Sequence, residues 1–118
     1  MASRSQSAKP PSQVTFSFTS SGDVTGGAPR FSWPIDINGD GTVDGYAFMD
    51  VNGCGSTVVS SASPTCTTYC GPETFPNWAA FAAAHPTYRS APGAIPFIIA
   101  DGHSGPGSVY VVSHIVLR

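Results

Sequence analysis

Between Arg30 and Val51 the chain reads RFSWPIDINGDGTVDGYAFMDV. In the first run Phe31, Trp33 and Ile35 alternate with smaller or polar residues. In the second, Tyr46, Phe48 and Asp50 alternate against Ala47, Met49 and Val51. A period of two is the mark of half-buried strands. The stretch between them carries Asp36, Asn38, Asp40, Thr42 and Asp44 at every second position, with Gly39, Gly41 and Gly45 interspersed. Such a run continues neither a strand nor a helix, so this region must fold as two strands joined by a tight acidic loop.

The rest of the chain follows the same style. VTFSFTS from Val14 alternates Val14, Phe16 and Phe18 against Thr15, Ser17 and Thr19, STVVSS from Ser56 suits a short strand, and VYVVSHIVL at the C-terminal end is the longest strand candidate. IPFIIA from Ile95 is apolar throughout and predicts a strand covered on both faces. Pro34 predicts that its own strand lies at an edge or ends there. One helix is expected over 77–85: Asn77 can cap it, Trp78, Phe81, Ala82 and His85 fall on one face, and Pro86 stops it. Six or seven strands with one short helix predict an all-β antiparallel sandwich, jelly-roll-like, with a small open barrel as the alternative. Residues 1–12 are polar and without periodicity and are expected to form a flexible arm, leaving residues 13–118 as a single domain.

Composition narrows the function. Five basic against seven acidic residues leave a net charge of −2, and no basic stripe is present to neutralise a run of phosphates, so nucleic-acid binding is not expected. No apolar run approaches the roughly 20 residues that span a bilayer, and MASRSQSAKPPSQ lacks the apolar core of a signal peptide. Charged residues are only 10% of the chain, while it holds 13 glycines and 11 prolines, which describes a turn-rich, weakly charged surface.

The acidic loop is the most specific chemical signal. Hard cations such as Ca²⁺ take six to eight oxygens, and acceptors at alternate positions of a tight loop can converge on one point. The side chains of Asp36, Asn38, Asp40 and Asp44, with the backbone carbonyl of Thr42, supply five oxygens, and Gly41 allows the sharp bend. Asn-Gly and Asp-Gly are also hairpin-turn dipeptides, but a plain turn gains nothing from three carboxylates that repel one another. Magnesium fits less well, because it prefers one or two carboxylates and much retained water.

DINGDGTVDG resembles the calcium loops of FG-GAP repeats and, more loosely, those of thrombospondin type 3 and dockerin repeats. The resemblance covers residues 36–45 and implies Asp36, Asn38, Asp40, Thr42 and Asp44 as calcium ligands. It departs from EF-hand and dockerin loops at the twelfth position, where Ala47 stands in place of an acidic residue and a strand in place of a helix. A second phrase, DVNGCGS from Asp50, repeats the pattern with Cys54 in place of the third acid and Val58 in place of the last. It should not hold calcium alone, although Asp50 is a candidate extra ligand for the first loop.

Three cysteines, Cys54, Cys66 and Cys70, lie in a loop-rich segment. Their setting suits a disulfide, for which Cys54 with Cys66 is the preferred pairing and Cys70 the remainder, although connectivity cannot be fixed by sequence. A zinc site of the three cysteines with His85 fits no usual spacing.

Catalysis finds little support in the sequence. His103 and Ser104 sit in DGHSGPG, where Pro106 breaks a nucleophile elbow, and Glu73 with Asp101 is a thin carboxylate pair. His114 alternates with Tyr110, Val112 and Val116 as a structural residue would. Trp33 and Trp78 are expected in the core, and Tyr69 and Tyr88, in irregular segments, are the candidate ligand platform. The chain is therefore expected to be a non-enzymatic, extracellular or secreted calcium-binding module that recognises carbohydrate or a cell-surface partner. The alternative is a structural subunit of an extracellular fibre, coat or surface layer, self-associating through β-edges or the arm. Bound Ca²⁺ would bring the charge near zero and lower repulsion between copies.

Overall fold

The computed structural model describes residues 9–22, 29–99 and 110–118. Its strands form two sheets in which every pairing is antiparallel. In the smaller sheet β1 (Phe16–Gly22) runs between β4 (Val58–Ser60) and β9 (Tyr110–Leu117). The larger follows the order β6 (Glu73–Phe75), β5 (Thr68–Cys70), β3 (Gly45–Asp50), β2 (Arg30–Asp36), β7 (Arg89–Ser90), and β8 (Phe97–Ile99) also pairs with β2. The sheets pack face to face as an all-β sandwich, and among the described residues one helix is longer than a single turn.

Alternation does the work that the sequence implies. Phe16 and Phe18 of β1 point inward against Phe31, Trp33 and Ile35 of β2 and Ala47 and Met49 of β3, all buried. Phe16 and Phe31 stack with centroids 3.6 Å apart, and Trp78 meets both edge-on. Each such aromatic contributes roughly 1.5–3 kcal/mol by leaving water. Helix α2 (Trp78–Ala84) closes this core: Asn77 caps it by accepting the Ala80 N–H at 2.8 Å, and Trp78, Phe81 and Ala82 form its buried face. The two indoles are satisfied as well, Trp33 donating to Ser90 Oγ at 2.7 Å and Trp78 to the Pro11 carbonyl at 2.9 Å.

Several expectations are corrected. Residues 9–12 are not loose as expected: Pro11 is buried and its carbonyl accepts from the Trp78 indole, and the Lys9 carbonyl accepts the Ser90 N–H; residues 1–8 lie outside the described residues. Pro34 sits in a central strand, not an edge. β8 covers β2 at Arg30–Ser32 and β7 covers it at Ile35–Asp36, so Pro34 falls between the two partners, where no N–H is needed. β8 is not covered on both faces: Phe97 is exposed, and Ile95 just before it is 76% exposed.

The second Asp-x-Asn-Gly phrase is a helical turn, α1 (Val51–Cys54). Asp50 caps it by accepting the Gly53 N–H, and Gly55 ends it in the left-handed conformation at φ 63°. β5 and β6, joined through Gly71 and Pro72, make a hairpin that the irregular composition of this stretch concealed. In β9 the register to β1 slips between the pairs Ser17↔Val116 and Thr19↔Ser113, and His114 takes up the extra residue at φ 55°. The strict alternation expected around His114 is therefore broken.

Candidate metal loop and neighbouring cleft

The loop from Asp36 to Asp44 is held by its own acids. Asp36 lies buried at the end of β2, its Oδ1 accepting the Gly39 N–H at 2.8 Å and its Oδ2 the Gly41 N–H at 2.9 Å. Both glycines have φ above 80°, a region L side chains rarely enter, which is why the sequence places glycine there. Asn38 Oδ1 accepts from Asp40 N–H, and Asp40 Oδ1 accepts both the N–H and the hydroxyl of Thr42. Those Thr42 bonds, the backbone one first, hold the exposed Asp40 carboxyl below its ordinary pKa. Asp44 closes the loop with Oδ2 on the Ile37 N–H, and its own N–H returns to the Ile35 carbonyl.

These bonds turn the loop inward, and Asp36, Asp40 and Asp44 each bring a carboxylate oxygen within 4.8 Å of the others. Asp36, Asp40 and Asp44 could together hold a metal ion. Asp50 is not part of the group. It stands at the opposite end of β3 from Gly45, committed to the α1 cap.

Cys54 and Cys66 form the disulfide, both buried, tying α1 to the segment before β5. The Gly53 carbonyl accepts from Thr67 N–H beside it. Closing a loop of this order stabilises by about 3 kcal/mol. Cys70 is free and buried, and burial, with Glu73 nearby, pushes its thiol pKa up. It is thus not joined in a zinc site with the bonded pair.

Tyr69 and Tyr88 do not form one platform. Tyr69 stands opposite Phe48 on the outer face of the larger sheet, whereas Tyr88 packs on the inner side, stacked on His85 at 4.2 Å and edge-on to Phe81. The outer face instead gathers Tyr46, Phe48 and Phe97, with the Arg30 guanidinium 5.0 Å above the Phe48 ring. The alternation of Tyr46 with Phe48 was the available signal for it. Asp101, His103 and Ser104 lie outside the described residues.

Beside the metal loop a cleft of about 460 Å³ opens between Asp44 and the β5–β6 turn. Tyr46, Phe48 and Tyr88 line it with rings, Ile37 and Pro72 with aliphatic surface, and Glu73 with a carboxylate. Glu73 Oε1 is 2.8 Å from His85 Nε2, which donates to it. Burial, then Cys70 and Glu73, raise the Tyr88 pKa, so its phenol stays protonated at neutral pH.

Compared with models of protein families, with curated proteins and with solved structures, the chain matches none of them.

Proposed function

We propose that this protein is a calcium-binding β-sandwich module that works outside the cell and binds a carbohydrate or another surface partner without catalysing a reaction. The observation that carries the reading is the gathering of three carboxylates within 4.8 Å. Calcium ligands at about 2.3–2.6 Å stand about 4.6–5.2 Å apart across the ion, so oxygens spread over this distance suit one calcium shell. Side-chain oxygens of Asp36, Asn38, Asp40 and Asp44 and the Thr42 carbonyl would hold the ion, with water completing the shell. All five are hard oxygen donors, as Ca²⁺ prefers.

The disulfide favours an oxidising compartment. The Cys70 pKa moves up with burial, against the direction a nucleophilic thiol needs, which supports a non-catalytic role. Thermal melting with calcium and with chelator tests the reading, since a ligand bound only by the folded state must raise stability. An unchanged melting temperature, with no calcium retained after desalting, overturns it.

A second reading, a structural subunit, draws on β9. Among the described strands β9 pairs only with β1, and it exposes Val111 at 50% and Ile115 at 59%. A long apolar edge is a template for another copy. Size-exclusion chromatography in calcium and in chelator decides this, because a monomer under both conditions removes it.

A further inference from the structure

The cleft between the metal loop and the β5–β6 turn has the chemistry of one ligand class. A pyranose ring is amphipathic, with flat faces of C–H groups and a rim of hydroxyls. The cleft offers both complements: the rings of Tyr46 and Tyr88 with the aliphatic surface of Pro72, and the Glu73 carboxylate with the Tyr88 phenol. Its volume of about 460 Å³ falls within the roughly 300–1,000 Å³ of small-molecule sites.

We infer that this cleft binds a neutral saccharide, with the exposed Tyr46 ring stacking on a pyranose and the Tyr88 hydroxyl and Glu73 carboxylate hydrogen-bonding to its hydroxyls. The inference rests on the binding-module reading and gives that module its site and ligand class. Glu73 is set for the part. His85 occupies its Oε1, which fixes the carboxylate and leaves Oε2 for a ligand hydroxyl. His85 is itself held by stacking on Tyr88 and edge-on contact with Phe75, so ring and acceptor are positioned as a unit. The Tyr88 hydroxyl remains a donor at neutral pH. Asp44 and Glu73 are the charged residues of the lining, both acidic, and they disfavour uronic and sialic acids. Gly71, at φ 59°, makes the tight turn that brings Pro72 and Glu73 to the rim.

The test uses the ¹⁵N-labelled full chain in calcium buffer, titrated with cello-, chito- and galacto-oligosaccharides to about 10 mM, which saturates a millimolar site. At least one oligosaccharide should shift the amides of Tyr46, Gly71, Glu73 and Tyr88. Glu73→Gln and Tyr88→Phe, each removing one hydrogen-bonding function while keeping shape, should weaken binding about fivefold, as the loss of one hydrogen bond implies. Tyr46→Ala, at an exposed position, should weaken it at least as much, and unchanged melting of the three variants shows that they fold. Shifts confined to Tyr69 and Phe97 would overturn the cleft while leaving the module reading intact. So would a response of the cleft amides to choline chloride without any to saccharide, because an aromatic and acidic cleft of that kind selects a cation. No response to any oligosaccharide also overturns the inference, and the chelator melt decides the calcium reading independently of it.

Discussion

Ile37 donates its backbone N–H to the Asp44 carboxylate at 2.9 Å, closing the acidic loop across its base. The bond sets one carboxylate of the cluster by a contact that needs an oxygen but not a charge. An amide at the same position keeps the acceptor and removes one negative charge from a crowded group.

Asp44→Asn should therefore have opposite effects in two buffers. In chelator its melting temperature should equal or slightly exceed that of the natural chain, since repulsion between Asp36, Asp40 and Asp44 is relieved. In calcium at a hundredfold excess over its Kd the natural chain should gain about 2.7 kcal/mol, or roughly 10–20 °C for a domain of this size. The variant should lose most of that gain. Equal responses of the two proteins to calcium would remove Asp44 from the ligand set.

The disulfide is a second, independent clamp. α1 is a single turn held by the Asp50 cap and by Cys54–Cys66, and a turn this short has little stability of its own. Replacing both cysteines by alanine should lower unfolding free energy by about 2–4 kcal/mol in urea, in calcium and in chelator alike. A loss that appears in only one of the two buffers would show the clamps to be coupled.

Residues with a clear period and a nearby partner were legible in the sequence. The inward sets Phe16/Phe18, Phe31/Trp33/Ile35 and Ala47/Met49 follow from alternation alone, and the helix follows from Asn77, Trp78, Phe81 and Pro86. What stayed hidden was decided by tertiary contact. Pro34 is admitted to a central strand only because β7 and β8 leave a gap opposite it. The cleft joins Tyr46 to Tyr88 across elements distant in the chain, which no local pattern announces. Asp50 repeats the spelling of Asp36, yet the same Asp-x-Asn-Gly text caps a helix in one place and turns a loop in the other. The disulfide and the neighbouring Thr67–Gly53 bond shape the second copy, and the first has neither.

Cys70 should make stability fall with alkaline pH. Its pKa is raised in the folded chain, chiefly by burial, so between its ordinary value, 9.0, and the raised one the unfolded chain has released a proton that the folded chain retains. Stability from this source is complete below the ordinary value and declines above it. Denaturation midpoints of the natural chain should drop from pH 8 to 9.5, and Cys70→Ala should flatten that drop. Tyr88, raised in the same sense, enters only near pH 10 and above. A slope unchanged in Cys70→Ala would place the titrating group elsewhere.

His114 occupies the β9 bulge in the left-handed region, at φ 55°, with its Nδ1 3.1 Å from Ser113 Oγ. For an L residue with a β-carbon this conformation costs about 1–2 kcal/mol, partly offset in glycine by its greater loss of backbone freedom. The side chain is exposed and makes no core contact that glycine would forfeit. His114→Gly should therefore raise stability by about 0.5–1 kcal/mol, and His114→Val, branched at the β-carbon, should lower it by at least about 1 kcal/mol. Urea midpoints at unchanged slope measure both. Valine tolerated as well as glycine would mean that β1 and β9 pair without the register slip at this position.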